Sequence, residues 1–236
     1  MIVDIDQVDP LPLADHYDVC IAGGGVAGIT LALRLAARKR RVLILEAGGF
    51  EFSEVSQDVY RGANVGYSYH DLATARLRYF GGTSGHWNGQ CRPLDSHDFL
   101  RHEHIPESGW PIRIADVQPY LAEARSILEL DAFPEASILP RSAGQLREIT
   151  FRWSPPVRFG DKFRKPLSDS GAVDVLLNAN LVEIRTDPGN GRVSGFVFRG
   201  YADGRPNHEA TAGRFVLALG GIENPRMLLN QGQQGL

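Results

Sequence analysis

Val19 to Ala22 and Val42 to Leu45 are short, unbroken apolar runs. That is the pattern of strands buried on both faces of a parallel sheet. Between them the chain is rich in Leu and Ala, both strong helix formers. The helical stretch closes on the basic cluster Arg38 to Arg41, and positive charge suits a helix C-terminus. One βαβ unit is therefore predicted. A β-rich segment starts near residue 172, where "AVDVLLNANLVEIRTD" and "RVSGFVFRG" flank the turn "PGNG", a hairpin signal. Phe215 to Leu219 is another apolar run, followed by Gly220 and Gly221 and then a helix. Asn224 is placed to cap that helix and Pro225 to start it.

The middle of the chain is less regular. Residues 48 to 77 have mixed polarity and predict loop and short helix. Asp116 is expected to cap a helix running to about Leu130, with Leu121, Ala124 and Leu128 on one face. Residues 131 to 170, rich in Pro and Arg, are expected to be irregular.

The glycines change the picture where they cluster. Gly23-Gly24-Gly25-Val26-Ala27-Gly28 is a G-x-G-x-x-G between the first strand and the helix. In the dinucleotide fingerprint Gly23 makes the turn, Gly25 lets the backbone reach a pyrophosphate, and Gly28 lets the helix pack closely. The helix N-terminus supplies free N–H groups for that pyrophosphate. Glu46, followed by Ala47, stands at the end of the second strand, where a carboxylate accepts from a ribose diol and repels a 2′-phosphate. A glycine-rich turn without a ligand is the bland alternative, and strand, helix and acid together outweigh it. This unit alone does not separate FAD from NAD. The second strand–Gly–helix junction, at Gly220 and Gly221, is placed to face the same ligand.

Composition removes several classes. With 236 residues the chain is long enough for one large or two small domains. A net charge of −3 implies neither nucleic acid nor a membrane surface as partner. No apolar run approaches the roughly 18 residues of a membrane span, and no signal peptide is evident in the acidic N-terminal stretch. Cys20 and Cys91 share no motif and read as reduced thiols, so a cytoplasmic location is expected. His97, His102 and His104 match no common zinc spacing and read as solvated, so no metal is expected.

"RYFGGTSGHWNGQC", residues 78 to 91, is too rich in Gly for a helix yet carries Phe80, His86 and Trp87. Together with "IAGGGVAGITLAL…VLILEAGG", "SGWPI" and "VLALGGIENPRMLL" it resembles the glucose–methanol–choline (GMC) oxidoreductases, with the nearest look of bacterial members and the pyranose-oxidase branch. The resemblance implies an α/β fold: a Rossmann-like FAD-binding domain (a parallel sheet with a β-meander) plus a partial cap or substrate domain. The expected division is 1–100 and 171–236 for the FAD domain and 101–170 for the cap. It implies FAD as cofactor and oxidation of an alcohol, such as a sugar or polyol, to a carbonyl by hydride transfer to flavin. Gly81, Gly82, Thr83, Ser84, His86, Trp87 and Asn88 would lie against the flavin, and Leu181 would join the cofactor contacts. His86 matches the position that carries a covalent flavin bond in pyranose oxidases; Thr83 and Asn88 make that match incomplete. Packing and non-covalent flavin contact remain open for it.

Family members are roughly twice as long, and their base is a His in the C-terminal half. No residue here matches it, so the catalytic residue is unknown. A clipped protein, one subunit of a two-chain enzyme, and a non-catalytic FAD-binding remnant are the alternatives. A second polypeptide carrying the base is the expectation. Other FAD-dependent oxidases, acting on amines or acids, are the runner-up.

Overall fold

The computed structural model describes residues 1–134, 137–138 and 146–232. They form two compact units, Met1–His86 with Arg158–Leu236, and Trp87–Val157. The boundaries thus fall at 86 and 157, where the sequence suggested 100 and 170. The shift reflects a helix at Phe159–Asp169 that the sequence reading treated as irregular. Pro166 lies inside this helix and hid it; Phe159, Phe163 and Leu167, at i, i+4 and i+8, were the signal. Of the stretch expected to be irregular, residues 135–136 and 139–145 lie outside the described residues.

The first unit is built on a parallel sheet. Its strands are β1 (Ile2–Asp4), β2 (Val19–Ala22), β3 (Val42–Leu45), β4 (Val173–Leu177) and β8 (Arg214–Leu217), in the order β1-β4-β3-β2-β8. All four pairings are parallel. Helix α1 (Val26–Ala37) links β2 to β3 and buries Gly28, Ile29 and Ala32. Helix α2 is Phe159–Asp169. A three-stranded antiparallel sheet follows: β5 (Asn180–Thr186), β6 (Val193–Arg199) and β7 (His208–Ala210). Helix α3 (Glu223–Gly232) closes the unit. The fold is the Rossmann-like α/β architecture with its meander.

Strand alternation decides the core. Cys20, Ala22, Leu43, Leu45 and Leu176 face one way and join Ile184, Phe196, Phe198 and Ala210 of the antiparallel sheet in one buried cluster. Ile21, Ile44 and Val175, all fully buried, take the opposite face, where α1 packs. Each such side chain contributes about 1.5–3 kcal/mol on burial. Asp174 is the exception in β4. Its carboxylate accepts from the Tyr17 hydroxyl at 2.8 Å and pairs with Arg41 at 3.4 Å and the N-terminal amine at 3.3 Å. A buried charge is tolerated when it is paired in this way.

The expected hairpin forms across residues 187–192, but "AVDVLLNANLVEIRTD" is two strands in two sheets. The chain breaks at Asn178, which has φ +57°, a region that Asn tolerates. β8 is an edge strand, and its Phe215, Val216 and Leu217 are only half-buried. Asn224 does not cap α3 at its first residue: the helix starts at Glu223, and the Asn224 Oδ1 accepts from Leu219 N at 2.9 Å.

The second unit carries little regular structure. Gln90–Cys91 and Arg152–Trp153 pair antiparallel, and the Trp87 indole donates to Val157 O at 3.0 Å. The expected helix from Asp116 to Leu130 is instead three short pieces: Ile114–Val117, a 3-10 turn Gln118–Tyr120, and Leu121–Ile127. Asp116 sits inside the first turn and accepts from Arg113 N at 2.8 Å. Pro119, which has no N–H to donate, interrupts the run. The His97 and His102 rings lie 4.1 Å apart and His102 and His104 5.8 Å apart. Among the described residues no group of three potential ligands could hold a metal, and no helix is long and apolar enough to cross a membrane.

Candidate functional site

A cleft of about 1040 Å³ opens in the first unit at the carboxyl ends of β2, β3 and β8. Open parallel sheets bind their ligands there. Of the residues singled out from sequence, Gly23, Gly25, Val26 and Ala27 line it from the first junction and Gly220 and Gly221 from the second. Glu46, Ala47, Gly82, Thr83, Ser84 and Leu181 line it as well. The two junctions, some two hundred residues apart in sequence, therefore face one cleft.

The glycines divide by duty. A Cβ on Gly28 would lie 1.9 Å from Gly23 O, and one on Gly23, at φ +110°, 2.4 Å from Ala218 O. These two glycines let α1, β2 and β8 close together. A Cβ on Gly25 would meet nothing within 4 Å. Gly25 also N-caps α1 with no side-chain cap bond and no acidic residue in the first turn. The helix thus offers its first N–H groups and positive end to the cleft, as a phosphate site requires. The donor set fits a dinucleotide pyrophosphate.

The loop opened by Arg78 is held against the dinucleotide loop and α2. Gly81 N donates to Gly24 O at 2.8 Å, and its missing Cβ leaves room for Gly160 N, which would be 2.4 Å away. The Ser84 hydroxyl donates to Gly81 O at 2.7 Å and accepts from Phe159 N at 3.0 Å, while Arg158 donates to Ser84 O at 2.8 Å. Ser84 is buried and spent on anchoring α2. Thr83 Oγ1 accepts from Leu77 N at 3.3 Å. His86 is exposed and does not line the cleft. Trp87 and Asn88 belong to the second unit, where Asn88 Oδ1 accepts from Gln90 N at 3.2 Å.

Glu46 is 5% exposed. Its Oε2 accepts from Gly24 N at 2.7 Å and its Oε1 from Gly48 N at 2.8 Å. Each oxygen keeps a second lone pair for a ligand hydroxyl. Burial pushes its carboxyl above the usual range, against the pull of the Gly48 and Gly24 N–H groups and the charge of Arg78.

Sequence reasoning did not single out Tyr60, Arg78, Asn180, Tyr201 or Glu223, all of which line the cleft. Arg78 Nη1 donates to Asn180 Oδ1 at 2.7 Å and to the Tyr201 hydroxyl, which donates to Ala47 O at 2.8 Å. The Tyr60 ring lies 4.0 Å from the Arg76 guanidinium, and burial pushes its hydroxyl up to about 12. Arg76 pairs with Glu223 at 2.7 Å. These residues come from distant segments, so no local pattern announces the cluster, although Arg78 and Glu223 lie inside the stretches that carry the resemblance.

The fold and cleft define a dinucleotide-binding α/β protein. A family model described as FAD dependent oxidoreductase matches residues 18–232, and the chain belongs to that family. FAD is its cofactor. Similar solved structures include pyridoxine 4-oxidase from Mesorbium loti, at 18% identity and TM-score 0.54, over 91% of this chain and 51% of that one. Formate oxidase follows at 16% and 0.51 over 91% and 47%, and a fungal aryl-alcohol oxidase at 16% and 0.53 over 90% and 47%. At these identities the likeness shows the fold. The chain spans about half the length of these structures. No curated protein sequence matches it.

Proposed function

We propose that this chain is the FAD-binding part of an oxidoreductase that oxidises an alcohol, of sugar or polyol type, to a carbonyl. The observation that carries the reading is the docking of the Gly-Gly-Thr-Ser loop, through Gly81 N on Gly24 O, beside a cleft built as a dinucleotide site. That loop is one of the two stretches most specific to the GMC resemblance, and an aryl-alcohol oxidase is among the structures of similar fold.

Bound FAD supplies the hydride acceptor. The residues of this chain hold and orient it: the α1 N-terminus takes the pyrophosphate, Glu46 the ribose, and the loop at Gly82 and Thr83 borders the reactive half. The hydroxyl proton goes to a base on a second polypeptide, or on a further half of the protein. Leu228 and Leu229, 52% and 71% exposed on α3, and the half-buried edge strand β8 support such a covering partner.

Purified protein should show flavin absorption, and an alcohol should bleach it only when the partner is present. Bleaching by an amine or acid instead would transfer the reading to another oxidase class. A monodisperse monomer of residues 1–236 turning over an alcohol at ordinary rates would refute the partner.

His86 carries its own expectation. If it bonds flavin covalently, acid-denatured protein stays yellow and gains the mass of one FAD; complete extraction of the flavin excludes the bond. Since His86 does not line the cleft, His86→Ala should retain FAD either way.

A further inference from the structure

We propose that Arg76, Glu223 and Arg226 form a latch that holds residues 58–76 against α3 at the rim of the cleft and sets how fast FAD enters and leaves. The proposal rests on the cleft being the FAD site and on nothing about substrate or partner. Residues 58–76 form a strap whose two ends are tied together at the base. The Gln57 side-chain amide donates to Ala73 O and to Arg76 O, the latter at 2.6 Å, and its Oε1 accepts from Arg78 N at 3.0 Å. The middle of the strap stands in solvent, with Val65 91% and Tyr67 99% exposed.

Two ties join the strap to α3, one running in each direction. From the strap, Arg76 Nη1 reaches Glu223 Oε1 at 2.7 Å. From α3, Arg226 Nη1 donates to Val59 O at 2.9 Å, and its Nη2 lies 3.0 Å from Glu223 Oε2. The buried Glu223 carboxylate thus links both ties, and the Arg76 guanidinium lies over the Tyr60 ring. Val59 and Tyr60 of the strap and Glu223 and Arg226 of α3 all line the cleft, whereas Arg76 does not. The ties therefore cross the rim, and Arg76 acts on the cleft only through its partners. The latch is also built to open. Arg76 Nε is buried and, among the described residues, has no hydrogen-bond partner. An unpartnered buried donor works against the closed state, which the ion pairs have to offset. With residues 61–71 exposed, the strap has little buried surface to keep it closed once the ties break.

The test is stopped-flow measurement of FAD binding to the full chain and of FAD release from it, with hydrogen exchange of the apo-protein alongside. A group that controls only the opening speeds both directions by one factor and leaves the equilibrium where it was. In Arg76→Gln association and release should each be about tenfold faster, the effect of one lost charge-assisted hydrogen bond. Kd should stay within about threefold of wild type. Amides of residues 58–72 should exchange faster in the variant, and those of α1, β2 and β3 should not. Arg76→Lys keeps the pair with Glu223 and should fall between Arg76→Gln and wild type. Arg226→Gln cuts the tie to Val59 O and should also speed both rates; it carries the test if Arg76→Gln does not fold. Faster release with unchanged or slower association marks a lost contact or a loosened site, and overturns the latch. Wild-type rates in both arginine variants overturn it as well. A wild-type chain that takes up no FAD removes the cofactor site itself, and the latch with it.

Discussion

Gly28→Ala should lower the thermal midpoint by roughly 6–12 °C, from a cost of about 3 kcal/mol at about 2–4 °C per kcal/mol for a chain of this size. The added Cβ would sit 1.9 Å from Gly23 O and 3.1 Å from Gly23 C. Both are backbone atoms and cannot swing away. Gly23 cannot retreat either, because its own Cα faces Ala218 O of the next junction. The strain would pass through α1, β2 and the chain after β8 together. Gly25→Ala is the matched control. Its Cβ meets nothing in the protein, so stability should change by less than about 0.5 kcal/mol. Yet the methyl would stand where the pyrophosphate approaches, and FAD affinity should fall about tenfold or more, roughly 1.4 kcal/mol. Calorimetry and FAD titration of both variants check this. Equal loss of stability in the two would show that the loop is packed for the fold alone.

Glu46→Ala should act on both ledgers at once. Losing the ribose bonds to a charged acceptor costs about 1–3 kcal/mol of FAD affinity, which is about 5- to 150-fold in Kd. The protein also loses the acceptor for Gly24 N and Gly48 N, and each buried donor left unpaired costs about 1–3 kcal/mol of stability. Glu46→Gln keeps an acceptor oxygen for one of them and should recover part of the stability but less of the affinity. Full retention of FAD by Glu46→Ala after dialysis would remove Glu46 from the site.

Much of the dinucleotide half was legible in the residues. Val19–Ala22, Gly23 to Gly28, the Leu/Ala helix and Val42–Glu46 lie within one short stretch, and period, propensity and turn chemistry all act at that range. The hairpin at 187–192 was legible for the same reason. Helix α2 was not, because Pro166 masked an apolar i, i+4, i+8 spacing. The rest needed long-range pairing. Nothing local places β4 between β1 and β3, or divides 173–186 between two sheets; the burial of both faces of a parallel strand decides that. Ser84 reads as a ligand group until its hydroxyl is seen to donate to Gly81 O and to accept from Phe159 N, 75 residues on. Arg78, Tyr60 and Tyr201 become one cluster only through folding. A side chain's type is written in the sequence, but its partner, and so whether it holds the fold or is free for a ligand, is set by which distant backbone the fold brings within hydrogen-bond reach.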